Sequence, residues 1–510
     1  MSPALPFASR YRRLVTFVAV LLVAGPVTAD STTTIDPTSN LGSWEGWGVS
    51  LAWWGKAFGN RSDLADIFFS LKSVSYNGVT VPGLGLNIAR YNAGACSSNS
   101  VNGTTIAANS ILPARKMDAY WIDWANSDPT SSSWSWGVDA NQRSMMTLAK
   151  ARGANRFELF SNSPVWWMCS NHNPAGAANG GKHSFKGSPP VSTFDTSYFL
   201  GENIQSWNIQ NHAVYLATIA KYAHDNWGIT FSSVEPFNEP SSSWWTATNN
   251  QEGSHFSIAT MMQVVIYLRS ELNKRGLTST LVSASDENTY DIATSTWNSF
   301  NSTARANIGR INVHGYQDTG GRRDLIYSAA SSAGLEIWNS EYGESDATGL
   351  SLAQDLLLDF SWLHPRAWVY WQAIDGGGWG LISGDITSGQ LSGVANKYYV
   401  LAHFTRHIRE GMRILNTGSL SDTVAAAYDA TNRKLIIVAA NFGSGQYINF
   451  DLSKFSQPPS NGALVPRWST HTNGSEQYVA HSDTYISGTE FWSFFDQNVV
   501  QTFEVDNVSL

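Results

Sequence analysis

Two glutamates in separate, aromatic-rich stretches stand out as the groups able to do chemistry. The stretch "SVEPFNEPSSSWW" (Ser233–Trp245) carries Glu235 and Glu239, each followed by proline, and "WNSEYG" (Trp338–Gly343) carries Glu341. Paired carboxylates suit cleavage of a glycosidic bond. One, kept protonated, donates to the leaving oxygen, and the other, ionised, attacks the anomeric carbon or activates water. A gap of about 5–5.5 Å between them goes with retention of configuration, and about 6.5–9.5 Å with inversion. Signatures of rival chemistries are missing: there is no HExxH, no paired CxxC, no EF-hand loop and no G-x-S-x-G turn. His314 in "NVHGY" has no partner in a metal-binding motif, so no metal and no cofactor are expected.

Two such carboxylates cooperate only if a fold brings them to one mouth. Apolar runs read as strands recur along the chain. They are "GWGVSLAWW" (Gly46–Trp54), "LNIARYN" (Leu86–Asn92), "RFELFSNSP" (Arg156–Pro164), "ITFSSVEPFNEP" (Ile229–Pro240), "STLVSASDE" (Ser279–Glu287), "RINVHGY" (Arg310–Tyr316), "LEIWNSEYG" (Leu335–Gly343) and "RAWVYWQA" (Arg366–Ala373). Helical periods lie between them, such as Tyr215, Ile219 and Tyr222, or Met261, Val265, Leu268 and Leu272 before Gly276. Eightfold strand–helix alternation predicts an α/β fold, a closed (β/α)8 barrel. An open doubly wound sheet would want a glycine-rich phosphate turn after its first strand, whereas "GWGVS" lies inside one. Barrel sites form at the C-terminal strand ends. That places Glu239 at the end of the fourth strand and Glu341 at the end of the seventh, facing one mouth. Glu235 lies deeper in its strand and reads as interior. Glu336 begins the seventh strand, and Glu344, past its turn, is the competing candidate for nucleophile.

After the barrel, "TVAAAYDATNRKLIIVAANFG", "QYINFDL", "EFWSFF" and "VVQTFEV" read as an all-β domain. The expected division is a leader at 1–29, an N-terminal segment at 30–45 joining the side β-domain, the barrel at 46–412 and a β-sandwich at 413–510. Arg10, Arg12 and Arg13 precede the short apolar run Leu14–Gly25 and the small residues Val27–Ala29, the pattern of a secretory signal peptide. A secreted, extracellular product without a membrane span is therefore expected. The N-x-S/T triplets at Asn60, Asn102, Asn301, Asn473 and Asn507 fit glycosylation on that route. Cys96 and Cys169 follow neighbouring strands, and a disulfide between their loops is expected, with two separate buried thiols as the alternative. The net charge of −8 and the lack of a basic run exclude nucleic acid as a partner. The 22 tryptophans are unusual. Many stand among Ser, Asn and Gly, where flat apolar faces can stack on sugar rings. The long loop Pro174–Pro190 is of a length that shapes a site or stays mobile.

The motifs "WEGWGVSLAWWGKAFGN", "GLNIARYNAGA", "SNSPVWWM", "FNEPSSSWW" and "WNSEYG" resemble glycoside hydrolase family 30, and within it the fungal endo-β-1,6-galactanases. The resemblance spans about Asp30 to the C-terminus. It implies a (β/α)8 barrel with a side β-domain, a retaining mechanism, no metal and no cofactor, and Glu239 as general acid/base with Glu341 as nucleophile. The implied partner is a polysaccharide, the β-1,6-galactan side chains of arabinogalactan proteins, cleaved by a monomer. Around the pair, Arg90, His314 and Tyr316 are candidate donors to the nucleophile, Asn238 the partner of the sugar 2-hydroxyl, and Trp371 a stacking platform. Trp53, Trp54, Trp166, Trp244 and Trp245 are candidates to shape the groove. The alternatives are a β-1,6-glucanase or xylanase of the same family, or a non-catalytic barrel that holds polysaccharide.

Overall fold

The computed structural model describes residues 30–177 and 201–510. The leader at 1–29 and most of the Pro174–Pro190 stretch lie outside the described residues. Eight strands, Gly46–Ser50, Ile88–Asn92, Arg156–Phe160, Ser233–Glu235, Leu281–Glu287, Arg310–His314, Ile337–Tyr342 and Ala367–Tyr370, pair in parallel and close into a barrel. All eight fall within the runs expected from sequence, the fourth being the shortest, at three residues. Strands covered on both faces read as near-continuous apolar runs. Accordingly, the first, second, fourth, sixth, seventh and eighth are buried at every position.

Helices enclose the barrel, and their periodicity explains their placement. In Ile258–Lys274, Met261, Val264, Val265, Leu268 and Leu272 form the buried stripe. The Ser257 side chain accepts the Thr260 N–H and so caps a free donor of the first turn. Among the described residues no helix is long and apolar enough to cross a membrane.

The chain opens and closes in β-structure packed beside the barrel. Ser31–Thr34 pairs in parallel with Gln446–Asp451, which pairs with Glu490–Phe495 in a three-stranded sheet. A six-stranded antiparallel sheet runs in the order Arg413–Leu415, Val424–Asp429, Lys434–Asn441, Val499–Val505, Arg467–His471, Val479–His481. Phe450, Phe491, Phe495, Phe503, Leu435 and Ile437 form the core between them, the inner layer of a β-sandwich. The helix Asn396–Thr405 joins this unit to the barrel. His403 is wholly buried there, its Nδ1 2.7 Å from the Thr502 hydroxyl and its Nε2 2.8 Å from that of Thr470. Burial holds the imidazole well below its usual range. The neutral ring, one nitrogen donating and one accepting, satisfies both hydroxyls.

Candidate active site

The barrel interior is polar toward its C-terminal end. Arg90, in the second strand, is completely buried and forks onto three carboxylates. Its Nε lies 2.9 Å from Glu158, its Nη1 3.2 Å from Glu341, and its Nη2 bonds Asp286. Below it, Arg310 pairs with Glu158, whose oxygens also accept from Asn312, at 3.0 and 3.1 Å, and from Ser233 and Ser283. Buried ions are tolerated only when paired and hydrogen-bonded in this way. Burial works against a charge on Asp286, but Arg90 and His314 overcome it and hold the carboxyl at about 2. Burial likewise opposes a charge on His314, yet Glu341 and Asp286 outweigh it and raise the imidazole to about 10.

Two backbone irregularities aim the carboxylates. In the seventh strand Asn339 bonds outward to Asp359, and Ser340 bonds inward to Asp286. Strict alternation would send Glu341 outward again. The register shifts between Asn339 and Glu341 against the sixth strand, and the bulge returns Glu341 to the mouth. Glu239 sits past the fourth strand with φ of 49°, in the left-handed region that a glutamate seldom enters. Its N–H donates to the Asp286 carbonyl at 2.7 Å. Its own carbonyl accepts from Ser242 N–H at 3.0 Å and Trp245 Nε1 at 2.8 Å. Three bonds thus hold a conformation that costs of order 1–3 kcal/mol.

The two side chains then face each other. Glu239 Oε1 accepts from Asn288 Nδ2 at 2.8 Å and lies 3.2 Å from His314 Nδ1. Glu341 Oε1 accepts from the Tyr316 hydroxyl at 2.9 Å. A carboxylate oxygen of each glutamate and a ring nitrogen of His314 all lie within 4.8 Å of one another. Such a trio is close enough to bracket a cation, but an imidazole that keeps its proton offers a donor there, not a lone pair. Burial pushes the Glu341 carboxyl up to about 7 against the pull of His314 and Arg90. Two carboxylates this close hold one proton between them. Arg90 and Tyr316 touch Glu341 and not Glu239, whereas His314 Nδ1 lies 3.2 Å from Glu239 and 3.6 Å from Glu341. Beneath them Glu235 is fully buried, and desolvation together with Asp286 and Glu158 drives its carboxyl well up, into the neutral form. Charges then balance across the floor: Arg90, Arg310 and His314 against Glu158, Asp286 and one of the pair.

Above the pair lies a cleft of about 470 Å³. Asn238, Asn288 and Tyr316 line its floor, and Trp244, Trp245, Trp371 and Trp379 its walls. Trp371 stands edge-on to Trp53 with ring centroids 5.1 Å apart. Trp244 and Trp379 are 45% and 37% exposed and form the rim. Asn238 Oδ1 is buried with no hydrogen-bond partner among the described residues. Trp379 is presented by the turn "DGGGWG", where Gly377 and Gly378 take φ of 61° and 85° and a Cβ on Gly378 would meet Ser345 O at 2.1 Å.

Of the residues singled out from sequence, Tyr316, Asn238, Trp371, Trp244 and Trp245 line this cleft together with both glutamates. Arg90 and His314 are wholly buried and hold the carboxylates from behind instead of facing a ligand. Trp54 and Trp166 must be corrected. The first strand ends at Ser50, so Trp54 opens the helix Trp54–Phe58, donates to Ser50 O at 2.7 Å and packs on Phe68. Trp166 opens a tight turn, is 0% exposed and donates to Ser97 Oγ at 2.6 Å. The disulfide is corrected too. Cys96 and Cys169 are separate buried thiols, one bonded to Glu252 and the other 3.5 Å from Pro164 O. Glu344 is paired with Lys397 at 2.7 Å, away from the cleft lining. The asparagines of all five glycosylation triplets are exposed. Sequence reading missed Glu158, Asp286, Asn288 and Trp379. The acidic end of "STLVSASDE" and the glycine run before Trp379 were the available signals.

A family model described as O-Glycosyl hydrolase family 30 matches residues 27–309. The chain is 58% identical over 494 residues to an endo-beta-1,6-galactanase of Hypocrea rufa, covering 97% of this chain and 98% of that one. Among solved structures, a conserved exported protein from Bacteroides fragilis superposes with a TM-score of 0.70 at 16% identity, covering 93% of this chain and all of the other. The catalytic domain of a GH30 xylanase C from Talaromyces cellulolyticus gives 0.66 at 19% identity, covering 94% of this chain and all of the other.

Proposed function

The chain belongs to O-glycosyl hydrolase family 30, and from that membership we propose that this glycoside hydrolase is a secreted, retaining endo-β-1,6-galactanase. The observation that carries the mechanism is the glutamate pair, with a carboxylate oxygen of each within 4.8 Å across one cleft. So short a gap goes with direct attack and retention, and an inverting pair stands wider apart. Glu341, its charge supported by Arg90 and Tyr316, attacks the anomeric carbon. Glu239 protonates the departing glycosidic oxygen. The glycosyl ester on Glu341 is then hydrolysed by a water that Glu239 deprotonates, so the product keeps the β configuration. Asn238 reaches the 2-hydroxyl of the reacting sugar, a contact that strengthens as the ring flattens.

The galactan assignment draws on the 58% identical relative, whose name states that activity. Endo action draws on the rim: Trp244 and Trp379 stand half-exposed as walls of a groove through which a chain passes. Secretion draws on the leader pattern and on five exposed glycosylation triplets. The test is hydrolysis of β-1,6-galacto-oligosaccharides with NMR of the first-formed anomer. The β-anomer is expected first, with rescue of Glu341→Ala by azide giving the α-azide and rescue of Glu239→Ala the β-azide. An α-anomer formed first refutes retention. Cleavage of β-1,6-glucan or xylan in preference to galactan refutes the substrate.

A further inference from the structure

The side β-domain carries a second cleft, of about 460 Å³, that the barrel chemistry does not use. Its apolar wall comes from two paired strands. Along Glu490–Phe495, Phe491 and Phe495 point into the sandwich core, and Trp492 and Phe494 point out, 39% and 48% exposed. Tyr447 on the neighbouring strand lies beside Phe494, with ring centroids 5.1 Å apart and the rings tilted by 60°. Solvent-facing strand positions ordinarily carry polar residues. Large aromatics on an edge strand invite aggregation unless they have a use. The facing wall is polar and fixed in place. Arg467 forks onto Asp483 at 2.5 and 3.1 Å, Gln501 is tied to Ser493 Oγ at 2.8 Å and to Phe494 O at 2.9 Å, and Glu476 accepts from Ser469. Flat aromatic faces opposite fixed, planar hydrogen-bonding groups repeat the make-up of the catalytic cleft. Hydrogen bonds also tie the second cleft to the barrel. His471, on the rim of the second, offers its carbonyl to Asn396 Nδ2 at 3.1 Å, and the same amide donates to Thr348 O at 2.8 Å, in the loop that follows Glu341.

We propose that this cleft is a second carbohydrate-binding surface, which holds a non-reacting segment of the galactan polymer while another segment is cleaved in the barrel. The choice of galactan as its ligand rests on the substrate reading above. The test uses the full chain, with Trp492→Ala/Phe494→Ala and the milder Trp492→Ala beside the parent. Both side chains are exposed and outside the core, so their removal leaves folding intact. Affinity electrophoresis of each protein in the Glu341→Gln background, through gels containing polymeric β-1,6-galactan, reads binding. Kinetics on the polymer and on a short galacto-oligosaccharide, in the active background, read its consequence. Retardation by galactan should weaken roughly tenfold in the double variant, and less in the single one. KM on the polymer should rise by a similar factor, with kcat/KM on the oligosaccharide unchanged. Equal retardation of parent and double variant, or no retardation of either, overturns the proposal. Failure of the parent to cleave the short galacto-oligosaccharide counts separately, against the substrate reading.

Discussion

The seventh barrel strand separates two buried clusters built from the same parts. Inside the barrel Arg90 binds Glu158, Asp286 and Glu341. Outside it, Arg323 binds Asp355 at 2.7 Å and Asp359 at 2.8 Å. The outer cluster is closed. Asp359 also accepts from Tyr290, Asn339 and Trp368, and the remaining Arg323 donors reach the carbonyls of Asp318 and Gly320. The inner cluster ends at a cleft, and Glu239 and Glu341 are its members that face it. An arginine with two or three buried carboxylates is therefore no sign of catalysis in itself. What distinguishes the inner one is a carboxylate pair with oxygen surface left for a substrate.

That distinction is broken or kept by substitution. Glu341→Ala should lower kcat on the cleaved glycan by about 10⁴-fold or more, with the folded protein retained. Circular dichroism and urea unfolding beside the rate measurement check both halves. Arg323→Met should do the reverse. Removing one partner of a buried ion cluster costs about 3–5 kcal/mol, read as a lower urea midpoint, with kcat per folded molecule within about twofold of the parent. A large loss of kcat in Arg323→Met at unchanged stability would mean that the outer cluster takes part in the reaction. The pH profile comes next. Glu341 attacks as the ionised group, and burial raises its carboxyl to about 7. kcat/KM should therefore fall as pH drops below about 7, by roughly tenfold per unit on the steep limb. A rate that stays level down to about pH 5 would mean that Glu341 is not the group whose ionisation limits attack.

The sequence carried the outer architecture and the two central glutamates, for a physical reason. Barrel strands are apolar on both faces and end in polar residues at the mouth, so "FNEPSSSWW" and "WNSEYG" marked the strand ends directly. The inner floor was harder to read. Glu158 and Arg310 interrupt apolar strands as single charges, and each makes sense only through partners on other strands, with 68 residues between Arg90 and Glu158 and 152 between Glu158 and Arg310. Asp286 and Glu341 face inward because of register shifts that no alternation pattern encodes. Tryptophan misled in both directions. Trp54 and Trp166 sit in motifs as aromatic as those of Trp244 and Trp371, yet the backbone turns them into the core. The two cysteines follow neighbouring strands, but their thiols point to different partners.

The finest discrimination between the clusters is the pH dependence of stability. A carboxyl raised on folding stabilises the protein below its unfolded pKa, and that contribution disappears as pH climbs through the folded value. For Glu341 the window runs from about 4.5 to about 7. Glu341→Gln has no proton to lose there, so its stability relative to the parent should grow across that window, by roughly 1–3 kcal/mol, and level off above it. In the outer cluster, burial and then Asp359 push Asp355 well up. The same sign applies, so Asp355→Asn should also gain on the parent as pH climbs out of the ordinary carboxyl range. Urea unfolding at half-unit steps from pH 4 to 8.5 resolves the two curves. Parallel curves would mean that the cleft lends Glu341 no more access to water than Asp355 has. A plateau near pH 7 in Glu341→Gln would mark the ionisation of the carboxyl that faces the cleft.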